Sequence, residues 1–443
     1  MEAIYPQFTI KNCDRVLLFR QLFPGKKHRQ SELALLFTYV YRLLEQFLVQ
    51  ESMKKNEGFG QILLLRSLRQ RKQFKLFEKC RQKQIEWLEE QNVQTSDHFY
   101  LSYLEATESN AYYAQLAKHK ADLSIQRKQN HLDQFYLSEK LKDAGEMLIR
   151  SRILKVDYSN PMLEDLLNHV EKHLSHYEAY APLMVYYYLY QLIKMEERAY
   201  YFQAIKVIER YEGQLRIVEL QNIYNYLQNY CIEQVNKGSR TFLQQTFELY
   251  KKQLEKKLLL DNAGFLSEWH YKNIVSIVMR LGEMDWVKSF IENYRFQLLP
   301  DVMENAYSFN LAAYYYATNQ LEKVQQLLIQ VEYKDIRYSL AAKSLLLRTY
   351  YDLQEYEALQ SLVKSFREYL RRNKLIPDKR RRAFLSLLQL TKMASQIQSA
   401  IPFQRERKTK RQIAELKTDI EKSKFLINRE WLMGKVVAME SQV

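Results

Sequence analysis

Between Trp286 and Val363 three short stretches recur: Trp286-Val287-Lys288-Ser289, Leu321-Glu322-Lys323-Val324 and Tyr356-Glu357-Ala358-Leu359, each 35 residues after the one before. Each opens on a large apolar residue and has a smaller or apolar one three positions later, the spacing of one helix face. The segments ahead of them keep the interval, with Leu311, Ala312 and Tyr315 standing 35 residues before Leu346, Leu347 and Tyr350. Tyr201-Phe202-Gln203-Ala204 reads as an earlier copy of the same start, and Phe242 opens another at a looser interval. A two-helix unit of this length buries its apolar face only by stacking on its neighbours, so the stretch decides for an all-α fold.

Composition agrees. The 443 residues include 9 glycines and 7 prolines, far below the roughly 7% and 5% of ordinary proteins, and sheet-rich folds need both residues for their turns. Pro182, Pro300 and Pro377 fall near expected helix starts, where a missing N–H costs nothing. Asn160-Pro161 reads as a capped start, and Ser31 as the N-cap of a helix whose stripe is Leu33, Leu36, Tyr39, Tyr41, Leu44 and Phe47. The loop Phe23-Pro24-Gly25-Lys26 precedes that helix, and Gly58-Phe59-Gly60 is expected to break the pattern after it. From Ser96 to about Val156 no proline occurs, and one or two long helices are expected. Most of the 34 tyrosines read as packing residues that bury the ring and wet the hydroxyl. Tyr315 and Tyr350 are expected to point inward as repeat anchors.

The repeat resembles the tetratricopeptide repeat, a pair of antiparallel helices of about 34 residues. Leu311, Ala312 and Tyr315 stand where that family has a Leu, a small residue and a Tyr; Tyr201 with Ala204, and Trp286 with Ser289, stand in its large-then-small positions. Ser308 and Lys343 replace its Trp, and Leu347 replaces a small residue. The resemblance is clear over about 286–370 and weaker back to about 160, and it implies a TPR-like α-solenoid of antiparallel helix pairs, expected over 96–376; outside it, 1–95 reads as an N-terminal helical domain with basic helices and 377–443 as a basic C-terminal helical extension. It further implies a concave groove lined by the first helices, which would hold Phe309, Tyr316, Arg348 and Tyr351 against a protein or peptide partner.

Catalytic and metal motifs are weak. Asp165, His169, His173 and His176 share one face of a single expected helix, but four ligands strung along a straight helix cannot converge on one ion. His169 and His173 lack the Glu that must follow the first His of a metalloprotease motif, and Gly58-Phe59-Gly60 lacks the third glycine of a dinucleotide loop. No enzyme activity, cofactor or metal is expected. The three cysteines, Cys13, Cys80 and Cys231, fit neither a disulfide framework nor a metal site. With no leader-like opening and no apolar run of about 18 residues, a cytoplasmic protein without membrane contact is expected.

The net charge of +15 is concentrated. Residues 66–83 carry +7 and residues 364–443 carry +12, leaving −4 elsewhere. A non-enzymatic interaction scaffold is therefore the first reading. A nucleic-acid binder is the alternative, using Arg69 and Lys72 in one segment and Arg380, Arg381, Arg382, Lys408 and Arg411 in the other. Glu406, Glu415, Asp419 and Glu421 interrupt or follow the last group and are expected to pair with it along a helix.

Overall fold

A chain poor in glycine and proline and rich in Leu, Gln, Glu and Lys has few places to stop a helix. In the computed structural model, which describes residues 15–25, 27, 29–91, 93–116, 123–329 and 335–443, the fold is all-α. Cys13 and Lys26 lie outside the described residues. The chain divides into two compact units, Met1–Ile223 and Tyr224–Val443, a division that falls inside the expected 96–376 segment.

The first unit holds α1 (Arg15–Leu22), α2 (Gln30–Lys55), α3 (Glu57–Gln70), α4 (Phe74–Glu90), α5 (Ser96–Gln115), α6 (Ser124–Leu154), α7 (Leu163–Lys172), α8 (Leu174–Tyr177), α9 (Ala181–Met195) and α10 (Arg198–Tyr211). The division falls within α11 (Ile217–Asn236). The second unit continues with α12 (Arg240–Glu255), α13 (Glu268–Leu281), α14 (Met284–Tyr294), α15 (Pro300–Ala317), α16 (Leu321–Ile329), α17 (Ile336–Asp352), α18 (Tyr356–Arg372), α19 (Asp378–Ala400), α20 (Glu406–Lys422) and α21 (Arg429–Glu440). Among the described residues no strand forms, although Leu266 makes isolated bridges to Leu260 and Leu298.

In the first unit α5, α6, α9 and α10 pack in succession and α3 and α4 lie against α5. Phe77 stacks on Tyr112 at 4.4 Å in a core with Ile62, Leu65 and Leu101. In the second unit each helix packs on the next, and α13 also meets α15, which meets α17. Pro182 and Pro300 occupy the first turns of α9 and α15, and Pro377 is the residue before α19, as their spacing suggested.

Helix ends leave carbonyls without partners, and the turns satisfy them in one recurring way. Gly282 has φ +89°; its N–H donates to Met279 O and that of Glu283 to Val278 O. Asn319 (φ +58°) and Gln354 (φ +60°) close the next two hairpins with the same pair of bonds, to Tyr316 and Tyr315 and to Tyr351 and Tyr350. Gly238 turns α11 into α12 likewise, and Glu196 turns α9 into α10 with one bond to Leu192 O. The residue five positions past each of these turns is buried: Tyr201, Leu243, Val287, Val324 and Leu359.

Several expectations are corrected. The interval between turns is 35 residues from Asn319 to Gln354 but 37 from Gly282 to Asn319, because the 3₁₀ turn Arg295–Gln297 lengthens the connection after α14. Val287 is therefore the counterpart of Val324; Trp286 is half-buried against Phe290 at 5.3 Å, and Ser289 is exposed. Tyr350 is buried, but Tyr315 is only half-buried under Lys323, and its neighbour Tyr314 takes the inward place. Helix α2 starts at Gln30 with Arg29, not Ser31, in the cap position. Of its stripe Leu33 alone is buried; Tyr41 and Phe47 stay 62% and 59% exposed because its main neighbours are the short α1 and α3. Gly58 lies inside α3, where a Cβ would come within 2.7 Å of Leu101 Cδ1, and the break falls at Asn56. The Asn160 amide is buried without a hydrogen-bond partner, and Met162 at φ +67° precedes α7 instead.

A side chain in the left-handed region is strained by about 1–2 kcal/mol, while glycine there sheds the strain but loses roughly 0.5–1 kcal/mol of chain entropy. Gln354→Gly and Glu196→Gly should each therefore stabilise the protein by about 0.5–1 kcal/mol, and Gly282→Ala should destabilise it by a similar amount. Urea titrations followed by circular dichroism check this. Destabilisation by both glycine variants would show that the turns are not the strained positions.

Candidate functional site

Three helices of the second unit, α13, α15 and α17, approach one another on faces carrying short side chains. Ser276, Ala313, Ala317, Ala341 and Ser344 leave a cleft of about 470 Å³ open to solvent. Larger groups shape its walls: Met279, Phe309, Tyr316 and Leu345 from these helices, with Phe384 of α19 and Ile427 and Asn428 of the loop before α21. Asn428 Nδ2 donates to Ser344 Oγ at 2.9 Å and ties that loop to α17. The lining holds no histidine, aspartate or glutamate.

Two cations face the cleft. Lys272 Nζ sits among three rings, 5.0 Å from that of Phe309, 5.1 Å from Tyr338 and 5.8 Å from Trp269. Tyr338 is fixed there by its hydroxyl, which donates to Glu268 O at 2.9 Å. Burial pushes the Lys272 ammonium below its ordinary range, with Arg380 and Arg337 acting in the same sense and Asp335 and Glu268 against it. The Arg348 guanidinium lies 4.5 Å over the ring of Tyr316, and burial lowers its pKa against the opposing pull of Tyr316 and Asp352. Asp352 itself takes the Tyr316 hydroxyl at 2.6 Å and pairs with Lys435 at 2.7 Å. Arg348 Nε is buried without a hydrogen-bond partner.

Of the four residues expected in the groove, Phe309, Tyr316 and Arg348 come together here. Phe309 is buried in the wall rather than open. Tyr351 is a correction: it is 5% exposed, packs edge-on against Trp431 at 5.5 Å and does not line the cleft. Trp431 of α21 covers it, where Tyr316 at the corresponding place of the preceding turn stays on the cleft. Phe384, Ile427 and Asn428 were missed because they follow the repeats in sequence, and nothing in their spacing marks them. Lys272 was missed because only its three aromatic neighbours single it out.

The basic residues proposed for polyanion contact divide between the two units. In the first, Arg66 and Arg69 both pair with Glu108 at 2.8 Å, while Lys72 is exposed at a left-handed turn. In the second, Arg381 is not available to phosphate. It donates to the carbonyls of Leu370, Asn373 and Ile376 and pairs with Asp378 at 2.5 Å, closing the end of α18. Arg411 pairs with Glu415 at 2.8 Å and Lys410 with Glu406; Arg380, Arg382 and Lys408 are exposed.

His169, His173 and His176 do not share one helix, because α7 ends at Lys172 and His173 is the junction to α8. His169 Nε2 is 2.9 Å from the Tyr177 hydroxyl. Among the described residues no group of three His, Cys, Asp or Glu could hold a metal ion, and no helix is long and apolar enough to cross a membrane. Comparison with protein-family models, with curated proteins and with solved structures finds no match.

A second, polar cavity of about 460 Å³ lies in the first unit, lined in part by Gln94, His98, Glu105, Arg127 and His131. Glu105 is fully buried, bonded by Ser109 Oγ at 2.6 Å and paired with Arg127; burial raises its pKa. Burial lowers the pKa of His98 and His131, so both favour the neutral form when folded, and the unfolded chain binds protons first. Stability from these two groups is complete above about pH 6.5 and declines as pH falls below it. Glu105 runs the other way, its contribution being complete only below about pH 4.5. Melting should therefore weaken between pH 7 and 5.5, and His98→Asn with His131→Asn should flatten that slope; an equal slope in the double variant would place the titration elsewhere.

Proposed function

We propose that the chain is a non-enzymatic scaffold whose second unit, a TPR-like array of helix pairs, holds a protein or peptide partner against its first helices. The observation that carries this is the cleft where Phe309, Tyr316 and Arg348 line one cavity with Lys272. Aromatic and arginine side chains of this kind are the usual anchors of an interface. The packing of α13 on α15 and α15 on α17 supports a stacked arrangement, and a lining without acid or histidine suits recognition better than proton transfer. The nucleic-acid alternative has less behind it, since Arg69, Arg381 and Arg411 are already engaged within the fold.

The test begins with a photo-crosslinking residue at Ala317, on the exposed rim of the cleft, followed by identification of the captured partner and titration of that partner against variants. Arg348→Ala should weaken binding about tenfold or more with the melting temperature preserved. Unchanged affinity would count against the groove. For the alternative, a low-salt gel shift with duplex DNA should give weak retention that is unaltered by Arg380→Glu with Arg382→Glu. A log-log salt slope near −5, the value for about six phosphate contacts, would reverse the ranking.

A further inference from the structure

Arg348 and Lys272 share a feature that the scaffold reading leaves unexplained. Both line the cleft, and neither has an ion-pair partner within 4.0 Å or a hydrogen bond to any described residue. Of the acids that act on them, Glu268 lies beyond 4.0 Å of Lys272 and the other two are engaged elsewhere. Asp352 is held by Tyr316 and Lys435, and Asp335 accepts the backbone N–H groups of Arg337 and Tyr338 at 2.7 and 3.1 Å and pairs with the Arg337 guanidinium. Guanidinium and ammonium groups taken partly out of water without an anion cost stability, and a bound anion would recover that cost.

The rest of the lining says what kind of anion. Phe309, Tyr316, Phe384, Leu345 and Ile427 present apolar walls, and the Ala and Ser positions keep the floor clear, so most of a ligand's surface would meet carbon. The volume of about 470 Å³ lies within the roughly 300–1,000 Å³ of small-molecule sites. A carboxylate matches the guanidinium fork and carries one charge, while its apolar body fills the walls.

We propose that this cleft binds a small monocarboxylic acid with an apolar body, such as an aryl-alkanoic or medium-chain fatty acid, its carboxylate on Arg348 and drawn in by Lys272. The proposal rests on the cleft used for the groove reading but needs no peptide. Ala313 and Ala341 keep the space open, and Arg348 supplies the charge selectivity.

The experiment is calorimetric titration of the full chain with indole-3-propionate and with octanoate, each against its neutral amide. The acids should bind at least tenfold more tightly than the amides. Arg348→Gln should abolish that preference while melting no lower than the parent without ligand, because it removes a half-buried charge that has no ion pair, at the loss of only its contact with the Tyr316 ring. Ala313→Leu, which fills the floor and leaves both cations, should weaken acid and amide alike. If Arg348→Gln does not fold, Lys272→Met takes its place: a reduced acid preference supports the proposal and an undiminished one overturns it. Failure of both acids to bind at millimolar concentration, equal binding of acid and amide, or a preference that survives Arg348→Gln overturns it too. A partner whose affinity falls with Arg348→Ala although neither acid binds would uphold the groove and sink this site. Acids that bind without altering that affinity would uphold this site and take the groove elsewhere.

Discussion

Six times among the described residues a helix ends on a residue in the left-handed region, its N–H and that of its successor turned back to the carbonyls of the last turn: Lys72, Gly238, Lys257, Gly282, Asn319 and Gln354. The constraint is local: the left-handed residue, itself exposed at all six turns, lets the backbone N–H groups meet the last carbonyls of the helix. It reverses the chain in two residues and so sets the rotation with which the next helix meets the last. The burial of Leu243, Val287, Val324 and Leu359 at one fixed distance past the turn follows from that rotation. Only two of the six residues are glycine, so the geometry is imposed by packing on residues that would not choose it.

The same turns explain where the cleft sits. Met279, Tyr316 and Tyr351 occupy one position in three successive turns, each giving its carbonyl to the left-handed residue. Met279 and Tyr316 line the cavity, and Tyr351 is covered by Trp431 of α21. The cleft ends where α21 begins to cover α17. Its interior is therefore shaped by α13, α15 and α17 on one side and by Phe384, Ile427 and Asn428 of the C-terminal segment on the other. Arg348, one turn before Tyr351, remains at the open end with its Nε unsatisfied. A side chain of that kind is a liability to the fold unless something else meets it.

Helical class and the helix starts at Pro182 and Pro300 were legible because proline placement and a 35-residue interval are properties of sequence alone, while Phe309, Tyr316 and Arg348 were brought to one face only by what the family resemblance implies. The interval misled where the chain between two hairpins grew: the 3₁₀ turn Arg295–Gln297 shifted α14 by two positions, and Ser289 was given the place that belongs to Val287. Non-glycine residues at the turns hid the better marker, since Asn319 and Gln354 do not announce a left-handed conformation as Gly282 does. For α2 the periodicity was real but its partner surface was not there to be read, and Tyr41 and Phe47 stay exposed. Lys272 could not be found from spacing, because the rings that surround it come from positions 269, 309 and 338.

Positive charge in this chain has a structural cause as well as any functional one. Helices that end without glycine leave carbonyls to be met by side chains, and a guanidinium reaches several at once while complementing the negative end of the helix dipole. Arg381 does this at the end of α18, Arg429 donates to the carbonyls of Ile420, Glu421 and Ser423 at the end of α20, and Arg152 donates to Ile193 O at 2.7 Å at the end of α9. Arg381 and Arg152 also pair with Asp378 and Glu196, but most partners of the three arginines are carbonyl dipoles, and Arg429 meets carbonyls alone. Arginines held in this way are engaged within the fold, so the net charge of +15 overstates the surface left for an anionic partner. Arg348 differs from all three: it lies at the end of α17, but Gln354 and Glu355 already satisfy the carbonyls there, and its guanidinium is left to the cleft.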